Sequence, residues 1–241
     1  MNSFYVNSAQ VSWFDNDLLS IFQTSFDATA YDDGLITELN PDYHAFIQKA
    51  VTKRKSEFVA GRFCALKSLQ KWGIGDAFIP VGEKRSPVWP SGIIGSISHC
   101  QSYAMAVTTQ SRYSKAVGID VEDMVEPEMA DKLQDTIINP DELVLQAGIE
   151  PPNVVFTLIF SMKESFFKAV YPHVGYYFDF SAISLQTIDW HMGRAEFKIN
   201  QNLSDTFKTG DRLSGQFKML EDKKIVTLIH IKNNPSEYRE P

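Results

Sequence analysis

Between residues 42 and 72, apolar positions recur at helical spacing: Phe58, Ala65, Leu66, Leu69 and Trp72 fall along one stripe. The pattern predicts helix there, in more than one piece, ended by Gly73-Ile74-Gly75. A loop rich in Pro and charge follows over 82–92. Residues 93–98 and 103–108 read as two strands joined by a short turn, and 116–122 as another. Residues 126–150 predict one or two surface helices around Asn139-Pro140, where Asp141 and Glu142 can open a helix. Asn153 is the expected N-cap of a buried helix over 154–170, stopped by Pro172. Its run from Val154 to Phe160 is ambiguous with a strand on periodicity alone. Four more strands are expected at 182–188, 195–199, 213–219 and 225–231. Residues 1–45 are mixed, with acidic turns at Asp15-Asn16-Asp17 and Asp32-Asp33-Gly34. The tail over 233–241 is polar and expected to fray.

Helix plus strands in each half predicts an α+β fold. The expected split lies near residue 115, giving an N-terminal half (1–115) and a C-terminal half (116–241) with a ligand in the cleft between them. No apolar run approaches the roughly 20 residues that span a bilayer. The N-terminus lacks the basic and apolar regions of a signal peptide. The expected setting is therefore soluble and cytoplasmic. Cys64 and Cys100 form no C-x-x-C pair, which argues against structural zinc.

A net charge of −7 argues against a general nucleic-acid binder. The distribution changes that picture. Residues 1–48 hold seven acids and no Lys or Arg, whereas residues 49–85 hold nine Lys/Arg and three acids. One basic segment in an acidic chain suits a compact anionic ligand or a local acidic partner. An ordinary solvated helix face gives the same pattern.

Four stretches carry candidate chemistry. In Gly118-Ile119-Asp120-Val121-Glu122, two carboxylates two apart on a strand share a face, while Asp123 points away. Such a pair can hold Mg²⁺, which takes one or two carboxylates plus phosphate oxygens. It is equally the pattern of an exposed strand end. Ser161, Glu164, Ser165 and Lys168 form one polar stripe on an apolar helix. A capping box from Ser161 to Glu164, or a plain Glu164–Lys168 pair, would explain the stripe without function. The segment Trp89 to His99 delivers Ser98 and His99 to a strand end. Adjacent strand residues face opposite ways and no G-x-S-x-G elbow exists, so a Ser/His hydrolase pair is disfavoured. Arg54 and Arg62, eight apart, share one helix face and suit phosphate.

In this order, Gly61-Arg62, W-P-x-G-x-x-G-S-x-S-H from Trp89, G-I-D-x-E from Gly118 and S-x-K-E-S-x-x-K from Ser161 resemble the 4′-phosphopantetheinyl transferases. The similarity is to the larger, surfactin-synthetase-activating type and its enterobactin-synthase-component-D-like branch. It covers about Arg54 to Lys168. The resemblance implies two similar halves related by pseudo-twofold symmetry, with coenzyme A between them. It implies Mg²⁺-dependent transfer of 4′-phosphopantetheine to a serine of an apo acyl or peptidyl carrier protein, releasing 3′,5′-ADP. Asp120, Glu122 and Glu164 would hold the metal. Glu164 would also be the base, Lys168 would neutralise phosphate charge, and Asp120 would complete the catalytic set. Arg54, Arg62, Lys84, Arg85, Ser98, His99 and Lys163 would bind the coenzyme. A monomer is expected, since one chain supplies both walls. The competing readings are a Mg²⁺-dependent phosphohydrolase on a coenzyme-A-like ester and a coenzyme- or carrier-binding module with decayed catalysis. The carrier's pathway, siderophore, polyketide, lipid or general, is left open.

Overall fold

The computed structural model describes residues 3–14, 16–146 and 151–233. Most of the polar tail, Asp15 of the first acidic turn, and 147–150 of the expected surface helices lie outside the described residues. The chain forms two compact units. One runs to Val117 and takes the chain in again from Ile231; the other is Gly118–His230.

The first unit is built on an antiparallel sheet of β1 (Tyr5–Val11), β2 (Ser20–Phe26), β3 (Ile93–Cys100) and β4 (Tyr103–Gln110), in the order β1-β2-β4-β3. The strands β1 and β2 were not foreseen. Clean alternation is missing from β1: Val6, Asn7 and Ser8 are all exposed, the register shifts between Val6 and Ala9, and Asn7 has φ 52°. It lies at the sheet edge, where burial imposes little pattern.

Short helices α1 (Gly34–Leu39) and α2 (His44–Ile47) lead into α3 (Thr52–Leu69), so the 42–72 region is helical in pieces as expected. On α3, Phe58, Val59, Ala60, Cys64, Ala65 and Leu69 are buried in one core with Phe4, Phe26, Ala104 and Ala106. Gly61 is the contact point of helix and sheet. A Cβ there would lie 2.9 Å from Ile97 Cγ2, so the missing side chain lets α3 settle onto β3. Gly73, at φ 76°, closes the helical stretch in the left-handed conformation.

The second unit contains most of β5 (Ser114–Asp123), then α4 (Pro127–Ile137), a 3₁₀ turn at Pro140–Gln146, and α5 (Pro152–Val174). It continues through β6 (Ile183–Asp189), β7 (Arg194–Ile199), β8 (Arg212–Met219) and β9 (Lys224–Lys232). The sheet order is β5-β9-β8-β7-β6. The run from Val154 to Phe160 is helical, which settles its ambiguity with a strand.

Two expectations for α5 are corrected. Asn153 is not its N-cap: the helix opens on Pro152, where a missing N–H does no harm, and the Asn153 amide donates to Val125 O at 2.6 Å. Pro172 does not stop the helix either. It lies in the last turn, where its lost hydrogen bond is tolerated, and α5 ends at Gly175 with φ 75°. Val155, Phe156, Leu158, Ile159, Met162, Phe166 and Val170 are fully buried. At about 1.5–3 kcal/mol each, their burial far outweighs any pair on the polar stripe. Among the described residues no helix is long and apolar enough to cross a membrane.

Candidate active site

In the second unit the site begins at a glycine. A Cβ on Gly118 would lie 2.6 Å from the Ala169 nitrogen and closer still to the Ser165 carbonyl oxygen. Only glycine lets β5 pass this close to α5, and the approach sets the next turn of side chains against the helix. Asp120, 1% exposed, therefore meets the stripe of α5. Lys168 Nζ donates to Asp120 Oδ1 at 2.6 Å, and Ser161 Oγ to Oδ2 at 2.7 Å. Ser161 and Ser165 also bond to Thr227 Oγ1 on β9, at 2.9 and 2.7 Å. Ser161 is thus interior to the helix and forms no capping box with Glu164. Asp123 pairs instead with Lys224 at 3.2 Å, consistent with the alternation along the strand.

Three carboxylates, Asp120, Glu122 and Glu164, crowd one ammonium. Burial, then the Asp120 charge, pushes the Glu122 carboxyl up to about 8, and Lys168 opposes this only in part. Burial also raises Glu164, again with Asp120 adding to it and Lys168 opposing. The cluster is short of positive charge, and its donors are hard oxygens, so its chemistry fits a hard divalent cation. Among the described residues, however, no group of three or more His, Cys, Asp or Glu side chains is arranged to hold a metal ion. In this arrangement the Asp120 oxygens accept from Lys168 and Ser161.

Lys163 is not placed as the resemblance implied. Its side chain is 1% exposed, and the ammonium donates to Glu142 Oε2 at 2.6 Å and to Ile137 O at 2.7 Å. A cation so enclosed is not available to a coenzyme phosphate.

The first unit carries a second cluster. Arg54, Arg62, Arg85 and His99 line one hollow of about 270 Å³, together with Glu57 and Phe58. Arg54 Nη1 lies 2.7 Å from His99 Nε2. Guanidinium has no acceptor, so Nε2 accepts and the imidazole proton sits on Nδ1, 3.8 Å from Glu57 Oε2. Arg62 is 6% exposed, with its guanidinium 4.9 Å from the Phe58 ring centre and 5.9 Å from that of Tyr43. Burial pulls its pKa down to about 10, and its Nε has no hydrogen-bond partner. A buried cation with an unsatisfied donor is suited to an anion entering the hollow.

Lys84 and Arg85 both adopt left-handed backbone, with φ 49° and 68°. For non-glycine residues such strain is of order 1–3 kcal/mol each, and it gathers at ligand sites. Ser98, adjacent to His99 on β3, is buried, and neither it nor Lys84 lines the hollow. Glu57 went unnoticed in the sequence, although its i+3 spacing from Arg54 could have signalled it. Glu142 carried no signal, since its partner is 21 residues away.

Two family models match the chain. One, for the 4′-phosphopantetheinyl transferase N-terminal domain, matches residues 42–109; the other, for the 4′-phosphopantetheinyl transferase superfamily, matches residues 116–219. Together they take in well over half of the chain, which belongs to the 4′-phosphopantetheinyl transferase superfamily. Among curated relatives, enterobactin synthase component D of Salmonella typhi is 40% identical over 145 residues, which is 60% of this chain and 59% of that protein. The 4′-phosphopantetheinyl transferase Svp of Streptomyces mobaraensis is 33% identical over 156 residues, 64% of this chain and 63% of its own length. The matches thus span less than two thirds of these relatives. A solved structure, the holo-[acyl-carrier-protein] synthase of Thermotoga maritima, aligns with 49% of this chain and 64% of its own at 18% identity, with a TM-score of 0.32.

Proposed function

We propose that this protein transfers 4′-phosphopantetheine from coenzyme A to a serine of an apo acyl or peptidyl carrier protein, releasing 3′,5′-ADP. The observation that carries the reading is the Asp120–Lys168 pair at 2.6 Å, set beside two carboxylates that burial makes more basic than usual. The 3′-phosphate falls to Arg54, Arg62, Arg85 and His99, where a buried guanidinium still has an unsatisfied donor. Glu164, its pKa raised, takes the proton from the carrier serine hydroxyl. The serine oxygen bonds to the phosphorus that bears the pantetheine arm, and the bridging P–O bond to 3′,5′-ADP breaks. Lys168 offsets charge that develops on the phosphate oxygens. Asp120 holds Lys168 in place through a bond that Ser161 supports from the other oxygen. Mg²⁺, when bound, would neutralise pyrophosphate charge, with Asp120, Glu122 and Glu164 as its carboxylate ligands. The reading also takes the protein to act as a monomer in the cytoplasm.

Incubation with coenzyme A, Mg²⁺ and a panel of apo-carriers tests the assignment. The expected result is a carrier heavier by one phosphopantetheine, abolished by Glu164→Gln while coenzyme A still binds. Hydrolysis of coenzyme A with no carrier present, or full turnover by the variant, would overturn it.

A further inference from the structure

The buried Lys163–Glu142 pair is the least economical feature of the second unit. Lys163 is 1% exposed and Glu142 0% exposed at the side chain. Two desolvated charges recover their hydration only through close partners, and an apolar pair of like volume is often as stable or more so. Here each charge has close partners. Glu142 Oε2 accepts from Lys163 Nζ at 2.6 Å and from Asn139 N at 2.7 Å, and Oε1 accepts from Leu185 N at 2.7 Å. Lys163 also donates to Ile137 O at 2.7 Å. One ion pair therefore ties α5 to the end of α4, to the Asn139 turn and to the backbone of β6. Asn139 extends the tie, donating its side-chain amide to Ile183 O at 2.8 Å and to Ser184 Oγ at 2.7 Å.

The position of the pair on the helix gives it a consequence for the site. At 3.6 residues per turn, Lys163 lies about 160° round α5 from Ser161. Ser161 and Ser165 hold one side of the helix to Asp120 and Thr227, and Lys163 holds nearly the opposite side to Glu142. The apolar residues between them would tolerate a small rotation, because dispersion contacts have no preferred direction. Two polar clamps on opposite sides do not. Glu164 is next to Lys163 and lies between the clamps, about 100° from it and about 60° from Ser161.

We propose that Glu142, acting through Lys163, is a positioning residue: it sets the rotation of α5 and so aims the Glu164 carboxylate. The inference rests on the reading of Glu164 as the base. A role of this kind concerns tenths of an ångström at the reacting atoms, where small displacements lower a rate more than they lower binding.

The test compares wild type with the double variants Glu142→Met/Lys163→Met and Glu142→Gln/Lys163→Gln. Three quantities are measured: urea midpoint, coenzyme A affinity by calorimetry, and kcat and KM for carrier loading. Expected is a double variant with a urea midpoint near wild type, coenzyme A affinity within about threefold, and kcat lower by about tenfold or more. A folded double variant with wild-type kcat makes the pair merely structural and overturns the inference. Should neither double variant fold, Glu142→Asp decides, since it keeps the charge and shortens the arm by one methylene. A lower kcat at unchanged coenzyme A affinity supports positioning; an unaltered kcat rejects it. Absence of transfer by the wild-type chain removes the functional reading and this inference together, whereas normal kcat in the variants removes this inference alone.

Discussion

Arg54 donates to His99 across 2.7 Å, linking the first turn of α3 to the end of β3 although 45 residues separate them. The contact holds the imidazole as an acceptor toward the guanidinium and leaves its Nδ1–H toward Glu57. Together with the buried Arg62, it makes a pocket that is already assembled before an anion arrives. In the proposed reading that anion is the 3′-phosphate of coenzyme A. Replacing Arg54 or Arg62 with Ala removes charge-assisted hydrogen bonds worth roughly 1.5–3 kcal/mol, so affinity falls about 10- to 100-fold. The same substitutions leave 3′-dephospho-coenzyme A binding nearly unchanged, which calorimetry on both ligands measures directly. Equal losses for the two ligands would place the arginines elsewhere on the coenzyme.

Glu122 gives the protein a pH dependence of known sign. Its carboxyl titrates near 8 when folded, against 4.5 ordinarily. The folded state therefore binds a proton that the unfolded chain releases. The stabilisation is complete below about pH 4.5 and is lost as pH rises through about 8. Urea midpoints measured without divalent metal should fall between pH 5 and pH 8.5, and Glu122→Gln should flatten that fall. If the variant keeps the full slope, Glu122 is not its source.

Gly118→Ala is expected to be severe, because its new methyl meets backbone atoms of Ser165 and Ala169, not a flexible side chain. Overpacking of this kind costs about 1–3 kcal/mol or more and pushes β5 away from α5. Chemical denaturation should show the lower stability. Carrier loading should fall further than stability alone accounts for, since Asp120 leaves Lys168.

Ser161→Ala removes one hydrogen bond to a buried carboxylate, the one Asp120 Oδ2 accepts from Ser161 Oγ. A loss of about 1.5–3 kcal/mol in unfolding free energy is expected, with kcat reduced and coenzyme A affinity little changed. Wild-type kinetics in this variant would show that the Ser161 bond does not position Asp120.

Much of the architecture was legible in the linear pattern. The stripe over 42–72, β3 and β4 of the first sheet, and β5 to β9 all follow from helical spacing or from apolar runs bounded by turn residues. The strands β1 and β2 were not legible: β1 has a shifted register and three successive exposed residues, and β2 buries Ser20 and Thr24 among its apolar residues. The ends of α5 were misread because a cap residue and a proline act locally only if nothing else claims them. Asn153 is claimed by Val125, and the lost Pro172 bond falls in the last turn.

By itself the sequence determined which side chains can do chemistry: the Asp120/Glu122 spacing, the Glu164/Lys168 stripe, the Arg54/Arg62 helix face and the motif order that resembles the transferase family. Only the tertiary structure decided their partners. Asp120 faces Lys168 and Ser161, Arg62 is buried between Phe58 and Tyr43, and Lys163 is withdrawn from any ligand by Glu142. The physical reason is that spacing along a chain fixes direction within one element. Desolvation and pairing, by contrast, depend on groups brought together from distant positions, and those decide whether a charge is a ligand-binding group or an internal clamp.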